Sequence, residues 1–248
     1  MPPGNPLQPE DIHPAMCTPE LRLQILHGLP FFAGLTHTDI HAVDRYFRDR
    51  GYMPGESIYL TGEAATHLYV VAAGKVKLLR HTLGGQDVLL DIMTPGDFFG
   101  TLPNLGETRY PDSAQAQTAC CTLTVSAVDF QHILQRYPSA ALHLLEITAA
   151  RLREAQESIR RLSAHSAEQR VAAILLRLGQ KLGEQRRDEL LIQMPLSRQD
   201  IAGMTGTTPE TASRILSHFR KSGLIRSGRE WIAIRDLHAL QTLSEAPV

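Results

Sequence analysis

Near the C-terminus, apolar residues recur at helical spacing on both sides of a short glycine turn. Ser197 can cap a helix, and Gly206 can end it in the left-handed backbone conformation. A second helix follows, with Thr208 as its cap and Pro209 in the first turn, where a proline costs no hydrogen bond. Its inner face is formed by Ala212, Ile215, Leu216 and Phe219. The pattern predicts two helices that cross at a tight turn, as in a helix-turn-helix.

The second helix points a set of polar side chains away from that inner face. Positions of this kind read base edges in the major groove. Arg214 can donate to guanine O6 and N7, Glu210 can accept from cytosine N4, and Ser213 can contact a base or a thymine methyl. The alternatives are that Glu210 merely completes a capping box with Thr207 and that Arg214 is a solvated surface charge. The predicted DNA contacts are Ser197, Arg198, Thr208, Pro209, Glu210, Ser213, Arg214, Ser217, His218, Lys221 and Arg229.

Two flanking segments complete this predicted DNA-binding domain. Residues 224–234 alternate around Ser227-Gly228 and predict a β-hairpin, or wing. Basic residues cluster around it as candidate phosphate contacts, namely Arg220, Lys221, Arg226 and Arg229. Upstream, a hinge at 165–167 leads into a helical pattern over 168–182, which we expect to supply the core of the domain.

A long helical pattern runs from Ser139 to about Leu162. Residues at alternating three- and four-residue steps form a seam for a partner helix: Leu142, Leu145, Ala149, Leu152, Gln156 and Ile159. We predict a parallel homodimer, because a helix-turn-helix that reads one short half-site gains specificity by pairing. The alternative is a helix packed on its own domain through Leu144, Ile147 and Ile159. Both hold if they use different faces.

Between residues 52 and 128 the pattern changes to short apolar runs separated by glycine or proline. This spacing predicts a β-roll rather than a helical bundle. The fold class is therefore α+β, with a β-roll, a long dimerisation helix and a C-terminal winged helix-turn-helix. The predicted domains are a flexible arm (1–19), a sensor domain (20–137), a dimerisation helix and hinge (138–164) and a DNA-binding domain (165–248).

The recognition-helix pattern Glu-x-x-Ser-Arg is formed by Glu210, Ser213 and Arg214. It resembles the regulators grouped around the cyclic-AMP receptor protein and the fumarate-nitrate regulator, and is more similar to the second branch, because Pro209 replaces the arginine of the first. The runs PGESIYLTGE, YVVAAGKVKLL and TPGDFFG resemble the cyclic-nucleotide-binding domain. The resemblance implies a dimeric transcription regulator, most often an activator, that works with RNA polymerase and reads TTGA(T)-like half-sites.

The resemblance also locates an effector pocket after the GDFFG run. Relatives that bind cyclic AMP have a glutamate for the ribose and an Arg-Ser pair for the phosphate, but here Thr101 and Asp112 replace the glutamate and the arginine. The lost charge-assisted contact is worth about 1.5–3 kcal/mol, and Arg109 is the nearest substitute. We predict that DNA binding does not require cyclic AMP; regulation by a cyclic nucleotide in an altered pocket is the alternative. The degenerate pocket comprises Gly100, Thr101, Leu102, Arg109, Asp112 and Ser113.

Composition narrows the class of protein further. A net charge of −1 and a pI near 6.8 require any basic surface to be local. The sequence has no metalloprotease, nucleophile-elbow or phosphate-loop motif, so we expect no enzymatic activity. No apolar run is long enough to cross a bilayer and no signal pattern is present, which predicts a cytoplasmic protein without a membrane partner.

The cysteines and the proline-rich N-terminus bear on possible cofactors. Cys17, Cys120 and Cys121 give no disulfide framework, so we expect them to be reduced, with the two adjacent cysteines on opposite faces of a strand. Three cysteines cannot supply the four ligands of an iron–sulfur cluster. His13 and Cys17 are the candidate haem or metal ligands. We predict no metal and no cofactor; a haem or redox sensor is a further alternative, and the effector is unidentified.

Overall fold

The structure is a computed structural model that describes residues 17–81, 87–101, 106, 108–228 and 230–245. The chain divides into two compact units, one ending at Glu154 and the other beginning at Ala155. The domain boundaries drawn from the sequence stay a prediction. Leu102 and Arg229, like His13, lie outside the described residues.

The first unit opens with a small helical layer. It contains α1 (Pro19–Gly28), a 3-10 turn (Pro30–Phe32) and α2 (His37–Asp44). Thr18 caps α1, and Thr36 forms a reciprocal capping box with Asp39 at the start of α2. Helix α2 has only a weak sequence signal, because it is short and five of its eight residues are polar.

A β-roll follows, as predicted. Its strands are β1 (Arg48–Tyr52), β2 (Ser57–Tyr59), β3 (His67–Ala73), β4 (Val76–His81), β5 (Asp87–Met93), β6 (Phe98–Gly100), β7 (Ser113–Ala116) and β8 (Cys120–Ser126). They pair antiparallel in two sheets of order β1-β8-β3-β6 and β2-β7-β4-β5. Successive side chains of a strand point to opposite faces of its sheet, so each sheet can contact a different set of residues on each face.

The alternation along β3 and β8 separates two hydrophobic cores. The helix-side core packs the first sheet against helices and includes Leu26, Phe31, Val43, Val70, Cys121, Phe130 and Leu144. The roll core fills the space inside the roll and includes Tyr52, Tyr59, Tyr69, Val71, Phe99, Tyr110 and Cys120. Neighbours such as Cys120 and Cys121 therefore face opposite ways, as the strand geometry predicted.

Two helices follow the roll. Ser126 caps α3 (Ala127–Arg136), and α4 (Pro138–Ala164) begins at a proline two residues after α3 ends. A proline is favourable there because the first helical N–H groups have no intrahelical acceptor. The bounds of α4 agree with the predicted long helix to within two residues.

The second unit carries the helix-turn-helix and a small sheet. Its elements are α5 (Ala167–Leu182), β9 (Gly183–Arg186), β10 (Glu189–Gln193), α6 (Arg198–Thr205), α7 (Pro209–Lys221), β11 (Ile225–Ser227), β12 (Trp231–Ile234) and α8 (Leu237–Glu245). The sheet order is β11-β12-β10-β9. The wing, β11 with β12, was predicted. The β9–β10 hairpin was not, because β9 is polar and turns at Arg187, which has a φ of 51°.

The prediction that the cysteines are reduced is wrong for one pair. Cys17 and Cys121 form a disulfide with their Cα atoms 6.1 Å apart, across a sequence separation of 104 residues. Cys120 is a free, buried thiol. The fold explains the pairing, since Cys121 points into the helix-side core and Cys17 packs against that same core. No sequence spacing reveals such a long-range approach.

Gly74, between β3 and β4, offers a test of the roll. Its φ is +79°, and an added Cβ would collide with the carbonyl oxygen of Ala119 and with Cys120. Gly74→Ala should therefore lower the free energy of unfolding by about 2–5 kcal/mol, from backbone strain and overpacking. Gly55, at φ +87° but with open space around it, is the matched control, and Gly55→Ala should cost only about 1–2 kcal/mol. Equal losses in urea denaturation would contradict this packing.

Candidate functional site

Hydrogen bonds fix both ends of α6, the first helix of the motif. The Ser197 hydroxyl accepts from the Asp200 N–H at 3.0 Å, and the Asp200 carboxylate accepts from the Ser197 N–H at 2.8 Å, which completes a capping box. Gly206 ends the helix with a φ of 59°, in the left-handed region. The two signals that predicted this helix therefore act as expected.

The turn between the helices is more polar than the motif requires, and the structure explains why. The buried Thr205 hydroxyl donates to the Ile201 carbonyl at 2.7 Å and lies 3.2 Å from the Thr207 hydroxyl. Arg170 of α5 then donates to the Thr205 carbonyl at 2.7 Å and to the His165 carbonyl at 2.6 Å. Arg170 thus holds the turn against α5. This role is not evident from sequence patterns, because Arg170 belongs to no local motif.

The recognition helix α7 has sharply different faces. Thr208 caps it by accepting from the Thr211 N–H at 3.2 Å, and Pro209 occupies its first turn. Its buried face is formed by Ala212, Ile215, Leu216 and Phe219. The opposite side leaves three predicted contacts half-buried and four exposed: Pro209, Ser213 and Ser217, then Glu210, Arg214, His218 and Lys221. The structure therefore brings the predicted base-reading residues onto one accessible side of one helix.

The charged side chains on that side of α7 differ in whether they already interact with other residues of the protein. Within the described part of the chain, no ion pair engages Arg214 or Lys221. Hydrogen bonds to its own backbone N–H and to Thr208 lower the pKa of Glu210, so it is an acceptor at neutral pH. His218 points its Nε2 towards a Glu168 carboxylate oxygen at 3.5 Å, on α5. Arg214 and Glu210 are thus the better placed pair for base contacts.

The start of α6 and the wing border a small cavity of about 240 Å³. Its lining includes Ser197, Arg198, Gly228 and Trp231. Burial, followed by repulsion from Arg220, lowers the pKa of Arg198. Such a cationic recess beside a helix N-terminus suits a phosphate oxygen.

On the wing, one candidate phosphate contact is already engaged. Arg226 lies over the Trp231 ring at 5.6 Å and within 3.4 Å of the Glu189 carboxylate. Arg235 reaches the same carboxylate at 3.1 Å. Arg226 is therefore held against the sheet.

The seam predicted on α4 is exposed along its length. Leu142, Leu145, Leu152 and Ile159 are between 60% and 65% exposed, Gln156 is exposed and Ala149 is half-buried. On another face, Leu144 is buried in the helix-side core and Ile147 packs against it. The helix therefore packs on its own domain through one face and exposes the predicted dimer seam on another. Ile159, which was also a candidate for packing on its own domain, lies on the exposed face. An apolar stripe of this kind is typical of a surface that is covered in an assembly.

The predicted effector pocket contains a polar pair, Tyr59 and Asp112. The Tyr59 hydroxyl donates to Asp112 Oδ1 at 2.9 Å, and the Tyr59 ring stacks on Tyr110 with centroids 3.9 Å apart. Burial raises the pKa of Asp112 despite this hydrogen bond. Burial and the neighbouring Asp112 raise the pKa of Tyr59.

The remaining pocket residues are held by the backbone of the roll. The Ser113 hydroxyl accepts from the Thr61 N–H at 2.9 Å. Gly100 has a φ of +86° and leaves little room for a side chain beside His67. The Arg109 guanidinium donates to the Gly62 carbonyl, so it is already engaged as a donor. Thr101 is half-buried.

The structure bears on the cofactor and membrane predictions in two places. In this structure the sulfur of Cys17, one of the candidate ligands, is bonded to that of Cys121. In the part of the chain that the structure describes, no three histidine, cysteine or acidic side chains are grouped to hold a metal ion. No described helix is both long and apolar enough to span a membrane.

Two family profiles match the chain. The cyclic nucleotide-binding domain matches residues 49–137, and the Crp-like helix-turn-helix domain matches residues 169–243. Among curated proteins, the cyclic AMP receptor protein of Thermus thermophilus is 34% identical over 220 residues, covering 88% of this chain and 98% of the relative. The transcriptional activator protein FnrA of Stutzerimonas stutzeri is 26% identical over 222 residues, covering 88% and 90%.

Solved structures agree with these matches. FixK2 from Bradyrhizobium japonicum superposes with a TM-score of 0.72 at 27% identity, covering 82% of this chain and 99% of that one. The Thermus thermophilus catabolite activator protein gives a TM-score of 0.51 at 33% identity, covering 87% and 98%.

An accessible recognition helix, a wing and a roll of the cyclic-nucleotide-binding type together define a DNA-binding transcription regulator. The chain belongs to the CRP/FNR family of transcription regulators. Members of this family regulate transcription and are not enzymes, so the enzyme classes that the sequence argued against do not apply.

The Tyr59–Asp112 pair predicts two opposite mutational effects. Tyr59→Phe removes the donor and should lower the free energy of unfolding by about 1–2 kcal/mol, since the half-buried Asp112 carboxylate loses its side-chain hydrogen bond. Asp112→Asn keeps an acceptor and removes the charge, so it should be at least as stable as the wild type at pH 7.

The pH dependence follows from the raised pKa of Asp112. Ionisation of such a carboxyl opposes folding, so its stabilising contribution is present at low pH and is lost as pH rises through the folded-state pKa. The advantage of Asp112→Asn should therefore shrink below pH ~4. Urea denaturation at several pH values measures this, and an advantage that grows on acidification would contradict it.

Proposed function

We propose that the chain acts as a homodimeric, sequence-specific transcription activator that binds palindromes of TTGA(T)-like half-sites without requiring cyclic AMP. The observation that carries the proposal is the division of α7, whose apolar face is buried while Glu210, Ser213 and Arg214 lie on the accessible side. This set matches the Glu-x-x-Ser-Arg pattern of the fumarate-nitrate branch. An arginine on guanine and a glutamate on cytosine are suitable readers of a TTGA core.

The apolar seam of α4 supports the homodimer. Four large aliphatic side chains along one helix are more than 59% exposed in the single chain. Burying them against a second copy would give two recognition helices for two half-sites, and spacing between half-sites would follow from the dimer.

Independence from cyclic AMP is supported by the chemistry of the pocket. Asp112 stands where a cyclic phosphate needs a cation, and it is held in place by the hydroxyl of Tyr59. A carboxylate there repels a phosphate and cannot donate to it when ionised. Arg109, the nearest substitute, donates to a backbone carbonyl.

The alternative is regulation by a cyclic nucleotide in an altered pocket. It is favoured by the printed names of two relatives: the 34% identical protein from Thermus thermophilus is called a cyclic AMP receptor protein, and a 28% identical protein from Mycobacterium tuberculosis is called cAMP-activated. This alternative requires DNA affinity that rises when the nucleotide is added. A haem or redox sensor is a further alternative.

The remaining parts of the proposal concern partners and location. Activation is supported by the name of FnrA, a transcriptional activator protein. An activator of this type would contact RNA polymerase and would act in the cytoplasm, where the chromosome lies. We propose no resident cofactor and no membrane partner, and the effector is unidentified.

The recognition helix can be tested with two substitutions on α7. Arg214→Ala should weaken binding to the specific duplex by about 1–3 kcal/mol and relax the preference at one guanine, since it removes a bidentate contact. Lys221→Ala is the control, because an exposed cation near a phosphate should affect all duplexes alike. Fluorescence anisotropy with specific and random duplexes measures both. Equal losses on the two duplexes for Arg214→Ala would contradict the assignment.

The dimer seam can be tested on α4. Leu152→Asp should yield monomers in analytical ultracentrifugation, because it would bury a charge in an apolar interface. Ala150→Asp introduces the same charge at an exposed position of the same helix, away from the seam, and should leave the dimer intact. A dimer that survives Leu152→Asp, or that dissociates equally with Ala150→Asp, would refute the seam.

A further inference from the structure

Two cysteines far apart in the sequence meet beside the helix-side core. Cys17 directly precedes Thr18, the cap of α1, while Cys121 lies on β8, a strand paired on both sides. Their Cα atoms are 6.1 Å apart, within the range of about 4.4–6.8 Å that disulfides require. The strand holds Cys121 firmly, so the position of Cys17 depends on how the start of α1 is docked.

We propose that Cys17 and Cys121 form a reversible thiol–disulfide site that is oxidised by hydroperoxides. This inference rests on the proposed function, because that function determines the cellular compartment in which the two cysteines lie. A regulator of transcription works beside DNA in a compartment that keeps thiols reduced, and disulfides formed there are usually transient or redox-sensing rather than structural.

The two sulfurs differ in access, which assigns their roles. Cys17 is half-buried and adjoins the N-terminus of α1, where the helix dipole favours an anion. Cys121 is 1% exposed. Cys17 is therefore the sulfur that a peroxide reaches, and Cys121 is the resolving thiol.

The reaction balances in two steps. The Cys17 sulfur attacks one peroxide oxygen, the O–O bond breaks, and the products are a sulfenic acid on Cys17 and the reduced peroxide, which is water from hydrogen peroxide or an alcohol from an organic hydroperoxide. The Cys121 sulfur then attacks the Cys17 sulfur, forms the S–S bond and expels the hydroxyl as water, which takes up the Cys121 proton. Two thiols are oxidised by two electrons in total and the hydroperoxide is reduced. An added dithiol returns both cysteines to thiols.

Cys120 provides an internal control. It is adjacent to Cys121 in the sequence but points into the roll core, on the other face of β8. Burial, followed by the charge of Glu56, raises the pKa of Cys120 to about 12, so its thiolate is scarce at neutral pH. The site is thus selective for one of two neighbouring cysteines.

Formation of the bond would tie the start of α1 to β8. Cys121 shares the helix-side core with Phe130 of α3 and Leu144 of α4, so the bond is anchored where those helices pack. Closing a loop across 104 residues should raise the melting temperature of the protein by on the order of 10 °C relative to the reduced form. The same shift is expected for Cys120→Ala and none for Cys17→Ser.

Peptide mapping of the full-length protein tests the site directly. The protein is reduced, treated with hydrogen peroxide, alkylated and digested without reductant. We expect the peptide containing Cys17 to be linked to the peptide containing Cys121 in the wild type and in Cys120→Ala, and the link to disappear after dithiothreitol. Cys121→Ala should trap Cys17 as a sulfenic acid that reacts with dimedone.

Several results would overturn the proposal. These are a Cys17 thiol that stays unmodified, a bond that includes Cys120, a bond only between two chains, or a bond that dithiothreitol leaves intact. The mapping needs no DNA, so loss of the crosslink and loss of specific duplex binding are separate results. A protein that forms the crosslink but binds no duplex would refute the proposed function alone.

Discussion

The burial of one face of α7 is the constraint on which the DNA-binding unit depends. Ala212, Ile215, Leu216 and Phe219 are at most 8% exposed. Because the helix turns by about 100° per residue, fixing this face also fixes which side chains remain outside. Glu210, Ser213 and Arg214 on the accessible side are then positioned by the helix itself. Thr208 defines where the helix begins, and Gly206 forms the turn that precedes it. The turn is secured by Thr205 and Arg170.

The roll is filled by aromatic side chains that hold its two sheets together. The aromatic rings of Tyr59, Tyr69, Phe99 and Tyr110 pack together inside it. Asp112 joins this cluster through the Tyr59 hydroxyl, so its carboxylate has a hydrogen-bond donor within the protein itself. The packing of the roll therefore uses the same aromatic residues that surround Asp112.

Local patterns predicted most of the architecture. Periodicity was sufficient for the long helix, the roll and the recognition helix, because each is specified by residues close in sequence. Caps such as Ser197 and Thr208 were identified from side-chain type and position alone.

The features that sequence reasoning missed depend on contacts between distant residues. The bond between Cys17 and Cys121 spans 104 positions. Arg170 acts on a turn 35 residues away, and its own surroundings in the sequence are those of an ordinary helix. The polar strand β9 has no apolar alternation and pairs only because β10 provides a template.

The central claim is that this protein reads DNA through α7 without cyclic AMP. The most direct test is the affinity of the purified protein, at one fixed salt concentration, for a duplex with inverted TTGAT half-sites about one helical turn apart. The affinity is measured with and without cyclic AMP. Our account predicts binding at least about 10³-fold tighter than to a random duplex, unchanged by the nucleotide. Specific binding only when cyclic AMP is present would contradict the account of Thr101 and Asp112.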